Sequence, residues 1–218
     1  MADLDLRPER RDQLTAGLRA ELEALIPGSA TDLRGSLATG TADPYSDIDL
    51  CWVVGDETFT AAVSAAAGLA ARLPSVQAVR IDPSLARSDR RRLVFVRLDR
   101  VPLFWRVDLD VRARSVAADD SYDDDNPDAR DATGWSPPAS AIENAVAAIK
   151  SGVRGRTDVT SGLLDRGYER IGLAPDPDAG LAELVTGLAD SCARLEPGLA
   201  GMAGEVRAVA QALLAPSR

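Results

Sequence analysis

The chain reads as an α/β (α+β) domain followed by a helical one. Three observations point there. Segments with strand-like alternation are confined to roughly residues 1–116. An Asp- and Pro-rich run then interrupts the pattern. Beyond it, residues 133–218 show only helix-length periodic segments separated by Gly and Pro. The expected organisation is an N-terminal domain over 1–116, an acidic linker over 117–132 and a helical domain over 133–218.

Taken in order, Leu14, Leu18, Leu22 and Leu25 form one apolar stripe, so residues 9–26 are expected as a helix that Pro27 and Gly28 stop. Ala30 to Arg34 leads into Gly35 and Ser36, and Thr39 to Ser46 is loop-rich. Residues 47–54 (DIDLCWVV) alternate as a strand. Ile48, Leu50, Trp52 and Val54 share one face, and Asp47, Asp49, Cys51 and Val53 the other. Residues 57–73 read as a helix with Asp56 as N-cap and Phe59, Ala62, Val63, Ala66, Ala70 and Leu73 buried. Strands are expected at 76–81, 93–98 and 103–111, the last two as an antiparallel hairpin. On the last strand Phe104, Arg106, Asp108, Asp110 and Arg112 share a face. Helices are expected near 139–151, 157–172, 179–194 and 198–214.

Composition removes several chemistries. The 218 residues contain no histidine, which excludes Ser-His-Asp and Cys-His triads and His-ligated metal sites. Cys51 and Cys192 stand far apart in apolar runs and read as buried free thiols of a reducing compartment. The net charge of −9 argues against a general nucleic-acid binder. No apolar run reaches the roughly 20 residues of a membrane span. The N-terminal residues lack the apolar core of a signal peptide, so a cytoplasmic location is expected. No GxxxxGK[ST] or strand-following GxGxxG occurs, which sets aside P-loop and dinucleotide enzymes.

The chemistry concentrates in Leu33–Val54, LRGSLATGTADPYSDIDLCWVV. Asp47 and Asp49 lie two apart on a strand and project to one side. Two carboxylates ~4 Å apart at an effective dielectric of ~20 repel by roughly 4 kcal/mol, which a bound cation relieves. Mg²⁺ suits such oxygen donors and is commonly shared with substrate phosphates. Gly35 lets backbone approach a ligand, and Ser36 with the start of a helix offers donors to a terminal phosphate. A third carboxylate must come from a neighbouring strand, for which Asp108 and Asp110 are candidates. Two ions in such a site serve an attacking hydroxyl and a leaving pyrophosphate.

Gly35-Ser36, the loop ending in Ser46-Asp47-Ile48-Asp49-Leu50 and the later Val107-Asp108-Leu109 resemble the nucleotidyltransferase superfamily. That superfamily includes DNA polymerase β, the aminoglycoside and lincosamide nucleotidyltransferases and the minimal nucleotidyltransferases. The resemblance covers about residues 30–112 and, more loosely, the helical half. Arg34 replaces the usual apolar residue before the glycine. The resemblance implies a polymerase β-like fold, a mixed sheet with helices on one face, plus a helical bundle. It implies Asp47, Asp49 and Asp108 as metal ligands and Gly35 and Ser36 as triphosphate binders. Asp110 is an alternative third ligand or the base. Lys150, the chain's one lysine, would bind the triphosphate as in the antibiotic-modifying branch.

The implied activity is Mg²⁺-dependent transfer of a nucleoside monophosphate, AMP from ATP in the leading case, to a hydroxyl of a small acceptor. The net acidity favours a cationic, aminoglycoside-like acceptor, and the acidic run 119–131 is either a solvated linker or an attractor for it. The partner would be that small molecule, not nucleic acid or membrane, with the chain a monomer or homodimer. Trp135 and Tyr168 could stack on a base or sugar, or belong to the core. The alternative is an antitoxin-type minimal nucleotidyltransferase that binds or modifies a partner protein.

Overall fold

A computed structural model describes residues 4–72 and 76–214. Within it the chain divides into two compact units. A sheet unit takes 5–101 and 105–135, and a helical unit takes 102–104 and 136–218 together with the first four residues.

The sheet unit opens with helix α1 (Pro8–Leu25), where Pro8 sits in the first turn. Strand β1 (Ala30–Leu33) follows, then the five-residue helix α2 (Gly35–Thr39) and strand β2 (Ile48–Val54). Helices α3 (Phe59–Ala67) and α4 (Leu69–Arg72) are separated at Gly68. Strands β3 (Val76–Ile81), β4 (Arg91–Leu98) and β5 (Val107–Ala113) complete the sheet. The strand order is β1-β2-β5-β4-β3. Only the β2–β5 pair is parallel; β1–β2, β4–β5 and β3–β4 are antiparallel.

Register explains the two faces. Ile48 faces Val107, Leu50 faces Leu109 and Trp52 faces Val111, and all six side chains are buried. Phe59, Ala62 and Ala66 of α3 pack on β3, β4 and β5. On the same side α1 caps the edge strand: Arg19 donates to the Thr31 hydroxyl and carbonyl at 2.9 and 2.5 Å, and Glu23 accepts from the Thr31 N–H at 2.9 Å. Trp52 closes this layer with its indole N–H on the Ser29 hydroxyl at 2.9 Å. The other face carries Asp49, Cys51, Asp108, Asp110, Arg112, Arg91 and Phe95, a polar surface on an otherwise apolar sheet.

Several elements depart from the sequence expectation. Strand β1 was read only as a short apolar and polar stretch. It is four residues long, too few for alternation to show. The expected helix 57–73 begins as a 3-10 turn at Asp56–Thr58 and breaks at Gly68, so Leu69 is buried and Ala70 exposed. Leu73 lies outside the described residues. Asp56 is not a helix cap: its carboxylate accepts from the Ser115 N–H at 3.0 Å and pairs with Arg90 at 2.7 Å. Strand β5 starts at Val107; Leu103 and Phe104 form a turn, and Trp105 and Arg106 are irregular.

The acidic segment 117–132 groups with the sheet unit. Arg112 holds Asp120, Arg91 holds Asp124 and Arg87 holds Asp131, at 2.6, 2.8 and 2.9 Å. The division between units falls after Trp135.

In the helical unit, α5 (Pro137–Val153), α6 (Thr157–Arg170), α7 (Leu181–Leu195) and α8 (Ala200–Leu214) pack around Ile142, Ile149, Val185, Leu188 and Val206. Helix α5 is capped by Ser136, whose hydroxyl accepts from the Ala139 N–H at 2.9 Å. Gly167 permits close packing of α6, since a Cβ there would meet Leu188 at 2.5 Å. No described helix is long and apolar enough to cross a membrane.

Candidate active site

The loop before β2 is clamped from two sides. Buried Arg11 of α1 donates to the carbonyl of Asp43 at 2.6 Å, and the Trp105 indole donates to the carbonyl of Pro44 at 3.0 Å. Inside the loop the Asp43 carboxylate accepts from the Tyr45 N–H at 2.9 Å and the Ser46 hydroxyl at 3.1 Å. The Ile48 N–H then bonds the Arg106 carbonyl at 2.9 Å. These bonds fix Asp47 at the mouth of β2, with Asp49 two residues on and both half-buried.

The glycine–serine step meets Asp49 directly. The Arg34 N–H donates to the Asp49 carbonyl at 2.9 Å, which brings the start of α2 against β2. Gly35 has φ +55, and a Cβ there would lie 2.1 Å from Asp49 Oδ2. Both facts require glycine. Ser36 follows in the first turn of α2, and its hydroxyl makes no hydrogen bond among the described residues. Helix α2 ends on Gly40 with φ +69, where Thr41 turns back to the Ser36 carbonyl at 3.0 Å.

Asp108 faces Asp49 in the parallel register, so the two share the polar face. Both oxygens of Asp108 are engaged by Arg106, from Nε at 2.7 Å and Nη2 at 2.7 Å. The Arg106 guanidinium in turn lies over the Phe95 ring, 4.8 Å from its centroid. No group of three or more Asp, Glu, Cys or His among the described residues is placed to hold a metal ion. The fork of Arg106 on Asp108 stands where the third carboxylate was expected to be open.

Asp110 belongs to a different structure. Arg112 donates to its Oδ2 at 2.9 and 2.6 Å, and Arg91 to its Oδ1 at 3.2 Å. Burial opposes the charge of Arg112, but the hydrogen bond and charge of Asp110 hold its pKa above the ordinary arginine value. Asp110 therefore anchors arginines rather than offering oxygens as ligand or base. Beside it Cys51 is fully buried, and burial pushes its thiol up.

Lys150 lies in the last turn of α5, half-buried, in the helical unit. Tyr168 is a core residue: it is buried, its hydroxyl donates to the Leu184 carbonyl at 2.8 Å, and burial pushes its pKa up. Trp135 stacks on Arg80 of β3, 5.1 Å from ring centroid to guanidinium carbon.

The donor set matches a hard divalent cation in kind. Asp47, Asp49 and Asp108 offer only carboxylate oxygens, and the missing Cβ of Gly35 keeps Asp49 approachable. Arg106 already answers the charge of Asp108, so an ion there would have to displace a guanidinium. The residues fit Mg²⁺ on that condition.

The i, i+2 spacing on one strand face offered Arg106 or Arg112 as a partner for Asp108, and Arg106 takes it. Sequence reasoning missed Arg11, whose partners lie 32 and 35 positions away.

Residues 16–93, which include α1, the glycine–serine step and β2, match the nucleotidyltransferase domain family. Over this span the chain is similar to the nucleotidyltransferases. No curated protein matches it. Among solved structures it is similar to a GLD-2/RNP-8 complex, with 13% identity, TM-score 0.38, and 84% of this chain and 78% of that chain covered. It is also similar to the non-canonical poly(A) polymerase complex GLD-2–GLD-3, with 15% identity, TM-score 0.37, and 87% and 71% covered.

Proposed function

We propose that the protein transfers a nucleoside monophosphate, AMP from ATP in the leading case, to a hydroxyl of a small acceptor and releases pyrophosphate. The observation that carries this reading is Gly35 seated against the Asp49 carboxylate, which unites the phosphate-donor end and the metal-ligand end of one loop.

The backbone N–H groups at the start of α2 and the Ser36 hydroxyl bind the terminal phosphates. Asp47 and Asp49 are the proposed Mg²⁺ ligands, with Asp108 joining them once Arg106 releases it. Bound there, Mg²⁺ would neutralise the triphosphate and favour the ionised form of the attacking hydroxyl. The chain's own contribution is placement: the Asp43–Ser46 clamp holds Asp47, and the Arg34 N–H holds the backbone of Asp49. Lys150 is proposed as a further charge for the triphosphate on the family resemblance alone. Net charge −9 favours an acceptor that carries positive charge, as an aminoglycoside-like compound does.

The test is a screen of hydroxyl acceptors with α-labelled ATP and Mg²⁺, followed by product mass. The expected product is the acceptor plus AMP, with stoichiometric pyrophosphate, absent with Asp47→Ala. Turnover by that variant at the parent rate overturns the site assignment.

A further inference from the structure

Two rungs along the polar face from Asp49 and Asp108, the sheet carries a cluster of arginines whose anions come from the chain's own acidic segment. Arg112 on β5 faces Arg91 on β4, and Arg34 follows β1 on the same face, its guanidinium beside Cys51. At about 3.3 Å per residue, Arg112 stands roughly 13 Å along the strand from Asp108. Arg112 is 4% exposed and Arg91 12%. Buried guanidinium groups need anions, and Asp110 alone supplies one charge to the two of them.

The rest comes from a strap, residues 117–126. Asp120 reaches Arg112 at 2.6 Å and Arg34 at 3.8 Å, and Asp124 reaches Arg91 at 2.8 Å. Strap carbonyls add to this: Ala117 accepts from Arg112 at 3.2 Å, and Asp120 and Tyr122 accept from Arg91 at 2.7 and 3.4 Å.

The two sides of these pairs differ. Arg112 and Arg91 are 4% and 12% exposed and Arg34 42%, whereas the Asp120 and Asp124 side chains are 74% and 54% exposed. Arg34 is the least satisfied: its ion pair is long, and its Nε is buried with no hydrogen-bond partner among the described residues. A carboxylate supplies one charge and two acceptor oxygens. A phosphate supplies more of both and suits the planar fork of arginine.

We propose that Arg34, Arg91 and Arg112 form a phosphate-binding subsite, covered in the resting protein by Asp120 and Asp124. The strap is a removable lid of matching charge. Its carboxylates leave for water when a phosphate group, of the donor nucleotide or of the acceptor, takes their place. This goes beyond the reading above, which assigns phosphate contacts to the start of α2, Ser36 and Lys150.

The test uses the whole protein and Asp120→Asn/Asp124→Asn, which leaves Asp110 and every arginine in place. Calorimetric titration with sodium tripolyphosphate in metal-free buffer should show at least about tenfold tighter binding to the variant than to the parent. Adding Arg34→Gln should remove most of that gain. Competition then separates the sources: displacement by ATP marks the donor's phosphates, and displacement by ribose 5-phosphate but not ATP marks the acceptor's. Unchanged or weaker binding by a variant with native circular dichroism overturns the proposal. So does a gain insensitive to Arg34→Gln, or one that neither competitor displaces. Should the double variant not fold, Asp124→Asn alone carries the same comparison with a smaller expected gain. The readout needs neither metal nor turnover, so its failure is distinguishable from failure of the nucleotidyl-transfer reading.

Discussion

Asp108 and Asp110 stand two residues apart on one face of one strand, each bound by arginine, and the resemblance ends there. Asp108 is held by Arg106 on the same stretch of chain, with both partners about one-fifth exposed. Asp110 is held by Arg112 and by Arg91 on the neighbouring strand, and Arg112 is almost wholly buried. A local, partly solvated pair can exchange its cation cheaply, because water screens what is lost. A buried network cannot, because removing one member strands the others. Alternation on a strand assigns a face to an aspartate; the origin of its counter-charge decides whether it is free to do chemistry.

Opposite signatures in paired variants would sharpen that contrast. Asp49→Asn is expected to lower turnover by at least about 100-fold, the scale on which loss of one positioned electrostatic group is felt, with an unchanged melting temperature. Asp108→Asn should behave alike. Asp110→Asn should do the reverse. It leaves Arg112 and Arg91 short of charge at a cost of about 3 kcal/mol, read as a melting point lower by about 5 °C or more. Parallel scanning calorimetry and pyrophosphate-release assays measure both. Equal thermal losses in Asp108→Asn and Asp110→Asn would erase the distinction between the two pairs.

Gly35→Ala sits between these extremes. The left-handed backbone alone costs an alanine about 1–2 kcal/mol, and the new methyl must push Asp49 Oδ2 away from 2.1 Å. Activity is expected to fall by a larger factor than the melting point suggests. Parental kcat in the Gly35→Ala variant would show that Asp49 does not work from the position Gly35 leaves open.

Much of this was legible beforehand where the signal was local. The DIDL segment, strand 76–81 and the four C-terminal helices follow from alternation, helical spacing and Gly or Pro stops. Non-local features were not. The parallel pairing of β2 with β5 joins residues about sixty positions apart, and nothing in either segment names the other. The acidic run read as a linker because seven aspartates around Pro127 look solvated. What fastens it is Arg91, Arg112 and Arg87, which lie outside it. The gap in Asp108's availability has a related origin. Arg106 was visible on the same face, but a salt-bridged aspartate and a metal-ligating one share one sequence pattern, and only side-chain geometry separates them.

The smallest expected effect concerns acid, and it probes the strap. Hydrogen bonding and charge from Arg112, then the charge of Arg34, hold the Asp120 carboxyl below the usual aspartate range. A carboxyl whose folded pKa is depressed stabilises the folded state at pH values above its unfolded pKa. That contribution fades as pH falls through the lowered folded value. Urea midpoints of the parent and of Asp120→Asn should therefore differ by a small constant amount from pH 7 down to about 5 and converge below the ordinary aspartate range. Asp120 is too exposed for a large separation. The informative quantity is the convergence: a gap that persists at the acid end would mean the Asp120 charge does not hold the strap, leaving its fastening to Asp124 and the carbonyls of Ala117, Asp120 and Tyr122.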